Sequence, residues 1–363
     1  MSDSIKTIGV LTSGGDSPGM NAVVRAVVRR GLSKGLNVKG IRRGYLGLIN
    51  EEIVDMEARS VSNVMQHGGT ILETERCPEF ELSEIQDKAI EICKKHGIDA
   101  LVIAGGDGSF KGAQKLAHKG MNVIGIPCTI DGDISCSDYT IGFDTAVNTA
   151  MRAIDNIRDT ASSHEKCSMI EVMGRNAGYI ALWCGIANGA ESVVIPETYD
   201  YNEVKIMKTI AKHRENGKKN NIIINAEGVG DTSKMAKRIQ AISGIHVRAT
   251  ILSYIQRGGT PTCRDRVYAS VMGAKAVDLL CEGKSNRIVA YKNGNFVDYD
   301  VDEALSMKGG MTEGLKYMYD ILDSNYNIIQ RTQYIRPYGY MVPLFVIKST
   351  SKIVPHIVFA WVK

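Results

Sequence analysis

Long apolar runs are missing from this 363-residue chain: no stretch reaches the roughly 18 consecutive apolar positions of a membrane span. The opening MSDSIKTIGV also lacks a basic segment followed by an apolar core, so no secretory signal is expected and the location read from sequence is cytoplasmic. Paired cysteines are missing too. Cys77, Cys93, Cys128, Cys136, Cys167, Cys184, Cys263 and Cys281 are scattered with no CxxC spacing, which argues against a zinc ribbon and a disulfide framework. Acidic residues stop at Asp323, beyond which only basic ones remain (Arg331, Arg336, Lys348, Lys352, Lys363). Without that tail the charges nearly balance, so no nucleic-acid partner is expected. Low-complexity linkers and repeats of 20 to 50 residues are absent as well, and the two domains that the length suggests must be interleaved or tightly joined.

Short β-branched runs bounded by glycine alternate with amphipathic helical patterns, the mark of α/β architecture with a mainly parallel sheet. Strands are expected at 8–12, 38–41, 100–104, 123–126, 168–172, 192–195, 222–225 and 248–252. One helix opens near Asn21, carries Val24, Val27 and Val28 on one face, and stops at Gly35. Another opens at Ser83, where Ser83 and Gln86 have the spacing of a capping box. Further helices are expected at 146–159, 202–215 and 264–281. From Asn325 onward, Pro337, Pro343 and Pro355 interrupt apolar stretches, and an appended segment that adds a short strand or stays loose is expected there.

Chemistry concentrates where strands give way to helices. Gly14-Gly15-Asp16-Ser17-Pro18-Gly19 and Gly105-Gly106-Asp107-Gly108-Ser109 are two glycine-rich turns. Such turns let backbone approach a phosphate, and the helix behind each offers unpaired N–H groups. Asp107 supplies a hard oxygen for Mg²⁺. No Gly-Lys-Ser/Thr follows, so this is not a Walker A loop. Thr129-Ile130-Asp131-Gly132-Asp133 puts two carboxylates at a strand end, one suited to accept a hydroxyl proton and the other to lie near a cation. Arg175, Arg248 and Arg257 are guanidinium groups suited to phosphorylated substrates.

The ordered set GGDSPGMN, GYLGL, RCPEF, GGDGS, TIDGD, DYTIGFDTA, EVMGR and IQRGG resembles the bacterial 6-phosphofructokinase family over residues 8–322. The resemblance implies two interleaved Rossmann-like α/β/α domains: residues 1–141 plus 255–306 for nucleotide, 142–254 plus 307–324 for sugar phosphate, with 325–363 an extension of unknown role. It implies transfer of the ATP γ-phosphate to the 1-hydroxyl of fructose 6-phosphate, with Mg²⁺. Gly15, Arg76, Cys77, Gly106, Asp107, Gly108 and Ser109 would then surround ATP, Asp107 holding the metal. Asp131 would be the base, Thr129 its neighbour, and Arg175 the stabiliser of the transferring group. Met173, Gly174, Glu227, Tyr254 and Arg257 would line the sugar phosphate, while Lys166 and Arg248 would reach in from a neighbouring subunit of a homotetramer. An ADP or phosphoenolpyruvate effector would meet Arg25, Arg29, Arg158, Glu191 and Lys218.

Departures from the family pattern fall close to the chemistry. Cys128 replaces a glycine, which would either put a thiol at the phosphate entrance and make activity sensitive to thiol reagents or leave an inert thiol packed in the interior. Gly132 replaces an asparagine, and would loosen the loop that aims Asp131. Glu73 and Glu75 stand beside Arg76 where small residues are usual, Lys166 replaces an arginine and Tyr254 a histidine. At the effector positions Ala58 precedes Arg59, Asn63 replaces an acid and Asn216 a lysine, so effector control is expected to be only partly retained. Pyrophosphate-dependent relatives carry Asp at position 108 and Lys at 128; Gly108 and Cys128 favour ATP. A catalytically weak paralogue acting as a ligand-binding or regulatory subunit is the competing expectation, and pyrophosphate dependence a third. An NAD kinase, suggested by GGDG alone, would leave EVMGR and IQRGG unexplained.

Overall fold

The computed structural model describes residues 5–164, 166–200, 203–218, 220–310 and 313–329, with side chains as far as 322. Most of the tail singled out above, 330–363, lies outside the described residues.

β1 (Thr7–Thr12), β2 (Asn37–Ile41), β3 (Ile53–Asp55), β4 (Ala100–Gly105), β5 (Asn122–Thr129) and the two-residue β6 (Ile141–Gly142) build one sheet. β7 (Cys167–Val172), β8 (Ser192–Val194), β9 (Asn221–Ala226) and β10 (Val247–Ile251) build a second. The chain then returns to the first with β11 (Arg287–Lys292) and β12 (Asn295–Asp300), giving the order β12-β11-β5-β4-β1-β2-β3 with β6 beside β5; the second sheet runs β10-β7-β9-β8. Every pairing is parallel except β2 with β3 and β11 with β12. All eight expected strands are present. Of the additional ones, β3 and β6 are short and β12 lies at an edge, where alternation is weak, while β11 is an inner strand between β5 and β12.

The helices are α1 (Met20–Ser33), α2 (Gly44–Ile49), α3 (Ser83–Lys95), α4 (Asp107–His118), α5 (Phe143–His164), α6 (Tyr179–Ala187), α7 (Val204–Glu215), α8 (Thr232–Ser243), α9 (Cys263–Cys281), α10 (Val301–Ser306) and α11 (Glu313–Ile329). Period-2 alternation assigns the strand side chains to opposite faces. Val102 and Ala104 of β4 pack with α1 and α9, whereas Leu101 and Ile103 pack with α2, α3 and α4. In the second sheet Ile222 and Ile224 face α5, α6 and α11, and Ile223 faces α7 and α8. Each sheet is therefore the middle layer of an α/β/α sandwich. Burying one such Val, Leu or Ile side chain contributes roughly 1.5–3 kcal/mol, so a charge at Val27 or Ile103 would break its layer.

The capping box expected at Ser83 does not form. Ser83 is the first helical residue, extended Leu82 is the cap, and no side chain caps the helix. The Gln86 amide instead donates to the carbonyl oxygens of Phe80 (2.9 Å) and Glu81 (3.3 Å). Tertiary demand for those carbonyls outcompeted the local motif.

Candidate active site

Adjacent strands bring the motifs together. Because β1 lies between β2 and β4, the loop after Thr12 runs beside the one after Gly105: Ser13 N–H donates to Ala104 O at 2.9 Å and Ser109 Oγ to Ser13 O at 3.1 Å. Gly105 is required by this crowding, since a Cβ there would stand 2.6 Å from Ser13 O. α4 opens at Asp107 behind the cap Gly106, and a Cβ on Gly108 would meet nothing within 4 Å. The open side of this turn and the free N–H groups of the helix suit an anion. Asp107 pairs with Lys111 one turn on, at 2.8 Å. Arg76 is exposed, and Cys77 is half-buried with Sγ 3.7 Å from Glu79 Oε2. Glu75 accepts the Arg76 backbone N–H at 3.1 Å, and the charges of Glu73 and Glu75 act on the Arg43 guanidinium, whose pKa is raised chiefly by its bond to Glu52.

Thr129, Asp131 and Asp133 follow β5, the next strand over. Thr129 Oγ1 accepts the Asp131 N–H at 3.2 Å, fixing the turn. Burial, and then the charge of Asp133, push the Asp131 carboxyl up to about 6, opposed by Thr129 and Arg257. Asp133 is also raised, first by burial, with Arg175 lowering it and Asp107 raising it further. Four carboxylates, Glu227 included, and two guanidinium groups thus share one electrostatic neighbourhood.

One sequence expectation is overturned here. Cys128 is not at the phosphate entrance: its side chain is 1% exposed, packed with Ile126 and Ile141 in the core, and burial holds its thiol well above the usual range. Alternation along β5 turns it away from the face that Thr129 occupies. Gly132 does not merely loosen the loop; its φ of 70° is the left-handed conformation that glycine adopts without strain.

The second sheet contributes the opposite wall. Gly174 and Arg175 follow β7 with φ of 137° and 55°, the latter a strained value for a residue with a side chain. Glu227 holds this turn: Oε1 accepts the N–H groups of Gly174 (3.2 Å) and Arg175 (2.7 Å). Gln256, fully buried, accepts the Met173 N–H at 2.9 Å. Gln256 lies inside the IQRGG motif, where its residue type alone does not signal this contact. Arg257 is next, its guanidinium 5.6 Å from the centre of the Tyr254 ring and 3.9 Å from Asp16. Tyr254 is 74% exposed.

Sequence reasoning also missed Asp265, wholly buried in the first turn of α9. It accepts hydrogen bonds from Tyr139 OH (2.6 Å), Gly142 N–H (2.7 Å), Thr145 N–H (2.9 Å) and the Thr145 hydroxyl, tying α9 to the start of α5. Its only sequence signal was Thr262 three residues earlier, which caps the helix through the Asp265 N–H.

Lys166 and Arg248 stand together but apart from Arg175. Lys166 precedes β7 and Met173 follows it, so about 20 Å of strand separates them. Of the effector set, Arg158, Glu191 and Lys218 converge: Lys218 bonds Glu191, whose side chain is 4% exposed, and Arg158 donates to the carbonyl oxygens of Asn188 (2.6 Å) and Gly189 (3.2 Å). Arg25 and Arg29 stand on α1, in the other sandwich.

Residues 7–280 match the phosphofructokinase family, and relatives align well beyond that span. The chain belongs to the phosphofructokinase family. It is 55% identical to an ATP-dependent 6-phosphofructokinase of Clostridium botulinum (strain Hall) over 317 residues, 87% of this chain and 98% of that one. A protein of the same name from Clostridium acetobutylicum is 55% identical over 318 residues, with the same coverage of both chains. Among solved structures, a phosphofructokinase from Saccharomyces cerevisiae has a TM-score of 0.79 at 33% identity, covering 89% of this chain and 48% of that one. A pyrophosphate-dependent phosphofructokinase from Marinobacter aquaeolei has a TM-score of 0.76 at 20% identity, covering 88% and 91%, a likeness of fold alone.

Proposed function

We propose that the chain is an ATP-dependent 6-phosphofructokinase that phosphorylates fructose 6-phosphate to fructose 1,6-bisphosphate, the reaction named for its 55%-identical relatives. The observation that carries the mechanism is Asp131, a carboxyl raised to about 6 between the phosphate-binding turns and the arginines. The sugar 1-hydroxyl attacks the γ-phosphorus, the bond to the ADP oxygen breaks, and the hydroxyl proton passes to Asp131. Thr129 fixes the Asp131 turn, and Arg175 lies against the developing charge on the phosphoryl oxygens.

Gly15, Arg76, Cys77 and Gly106 to Ser109 form the ATP side. Met173, Gly174, Glu227, Tyr254 and Arg257 form the sugar-phosphate side, completed by Lys166 and Arg248 of a neighbouring subunit in a homotetramer. The placement of Lys166 and Arg248 at the far end of β7 and β10 supports that division. The domains are read as residues 1–141 plus 255–306 and 142–254 plus 307–324, and the location as cytoplasmic. No helix among the described residues is long and apolar enough to cross a membrane.

Asp107 at the open phosphate-binding turn and Asp133, whose carboxyl feels its charge, are hard oxygen donors of the kind Mg²⁺ takes, one or two at a time, completing its shell with phosphate oxygens and water. Asp107, with Asp133 beside it, would hold the ion. When bound it neutralises phosphate charge.

ATP is favoured over pyrophosphate by Gly108 and Cys128, which stand where pyrophosphate-dependent relatives carry Asp and Lys. Of the departures that suggested a weak paralogue, Cys128 and Gly132 are accommodated by the structure. An effector such as ADP or phosphoenolpyruvate is assigned to Arg25, Arg29, Arg158, Glu191 and Lys218.

A coupled assay for fructose 1,6-bisphosphate, run in parallel with ATP and pyrophosphate, tests the reading. Turnover with ATP alone is expected; turnover with neither donor, in a folded protein that binds nucleotide, would overturn it.

A further inference from the structure

Around the start of β10 several cationic side chains gather. A shallow cavity of about 420 Å³ is lined by Lys166, Ser233, Lys237, His246, Arg248 and the backbone between them. No carboxylate appears among its described lining residues.

The strand register explains the gathering. Val247 pairs with Cys167, and the Cys167 N–H donates to His246 O at 3.2 Å, so Lys166 and His246 occupy neighbouring strand entrances. His246 and Arg248 are two apart and point to the same side of the strand. Lys237 and Ser233 are one helical turn apart on α8, which packs on β10 and β7. Ser233 lies in the first turn of that helix, whose N-terminus Asp231 caps by accepting the Lys234 N–H. The other charged groups on α8 are engaged elsewhere: Arg238 with Glu203, and Lys234 with Asp231. Among the described ion pairs none involves Lys237, His246 or Arg248.

Four nitrogen donors and a hydroxyl around one concavity are more than a lone phosphate contact needs from two side chains, and their chemistry is that of a phosphate monoester site. We infer that Lys237 and His246 are sugar-phosphate-binding residues, acting together with Lys166 and Arg248 on the phosphate of the substrate held in a neighbouring subunit's cleft. The inference rests on the reading that Lys166 and Arg248 act across a subunit boundary. Neither Lys237 nor His246 belongs to any of the motifs that carried the functional reading. Because they would touch the substrate's existing phosphate and not the transferring one, they govern affinity for the acceptor and leave the chemical step alone.

The test is steady-state kinetics on the full-length protein and three variants: Arg248→Ala as the reference, Lys237→Met and His246→Gln. Arg248→Ala is expected to raise KM for fructose 6-phosphate more than tenfold. Lys237→Met and His246→Gln are each expected to raise it about 3- to 10-fold, the loss of one charged hydrogen bond at a partly exposed site, with KM for ATP and kcat within twofold of the parent. Competitive inhibition by inorganic phosphate against fructose 6-phosphate should weaken in the same variants, while its effect on ATP binding stays unchanged. If Arg248→Ala raises KM and the other two do not, the inference is overturned and the subunit-sharing reading stands. If Arg248→Ala itself leaves KM unchanged, that reading falls and the inference with it. A rise in both KM values, or a lowered melting temperature that accounts for lost activity, would also overturn it.

Discussion

The guanidinium of Arg257 covers Gly15: a Cβ placed on Gly15 would lie 2.9 Å from its Nη2 atom. Residues assigned to opposite substrates are therefore in contact. Gly15→Ala is expected to displace Arg257 and raise KM for both ATP and fructose 6-phosphate, by roughly 3- to 30-fold if one charge-assisted hydrogen bond is lost. Steady-state kinetics with each substrate varied in turn would measure it; an effect confined to ATP would mean that Arg257 simply moves aside.

Asp131 gives two linked expectations. As the proton acceptor it must be ionised, so kcat should fall below about pH 6 and approach a tenfold loss per pH unit. Asp131→Asn should cost about 10²- to 10⁴-fold in kcat and remove that acid limb. Because its folded pKa lies above the ordinary 3.8, ionisation of Asp131 opposes folding: the penalty is complete above pH 6 and relieved as the pH falls from about 6 toward 4. The asparagine variant should accordingly be more stable than the parent at pH 8, by at most about 3 kcal/mol, with the gain vanishing near pH 4. Denaturant melts at both pH values would check the sign.

Cys128 should resist alkylation in the native protein, since a buried thiol far above its usual pKa offers no thiolate. Modification with iodoacetamide followed by peptide mass spectrometry is expected to label the exposed Cys263 and Cys281 and spare Cys128. Cys128→Gly should cost about 1–3 kcal/mol of stability, through the void left in the core and the added backbone freedom. Labelling of Cys128 that substrate prevents would contradict the packing described here.

Asp265 is a structural anchor with a functional consequence. Asp265→Ala strands the buried N–H groups of Gly142 and Thr145 and should cost about 3–5 kcal/mol, whereas Tyr139→Phe, which removes one donor, should cost about 1 kcal/mol. Urea unfolding would measure both. Equal costs would mean that the four bonds do not act through the shared carboxylate.

Periodicity and glycine placement determined the parallel α/β layers, because alternation in a strand and 3.6-residue spacing in a helix are local consequences of burying one face. The same reasoning located the turns at Gly14, Gly105, Thr129 and Met173, since ligand sites in such folds gather at the carboxyl ends of strands. The hairpin β11–β12 went unread although Asn293-Gly294 marks it, both with positive φ, because its strands carry only partly buried side chains on one arm. Cys128 was misplaced by attention to its motif; alternation with Ile126 along β5 already put it on the core side. The tertiary structure alone decided the rest. Arg257 over Gly15, Glu227 beneath the Gly174–Arg175 turn and Asp265 beneath the start of α5 join residues far apart in sequence. Glu227 and the Gly174–Arg175 turn follow neighbouring strands of one sheet, whereas Asp265 ties α9 to α5; each contact is set by which elements the fold places side by side, and no local pattern of polarity encodes that placement.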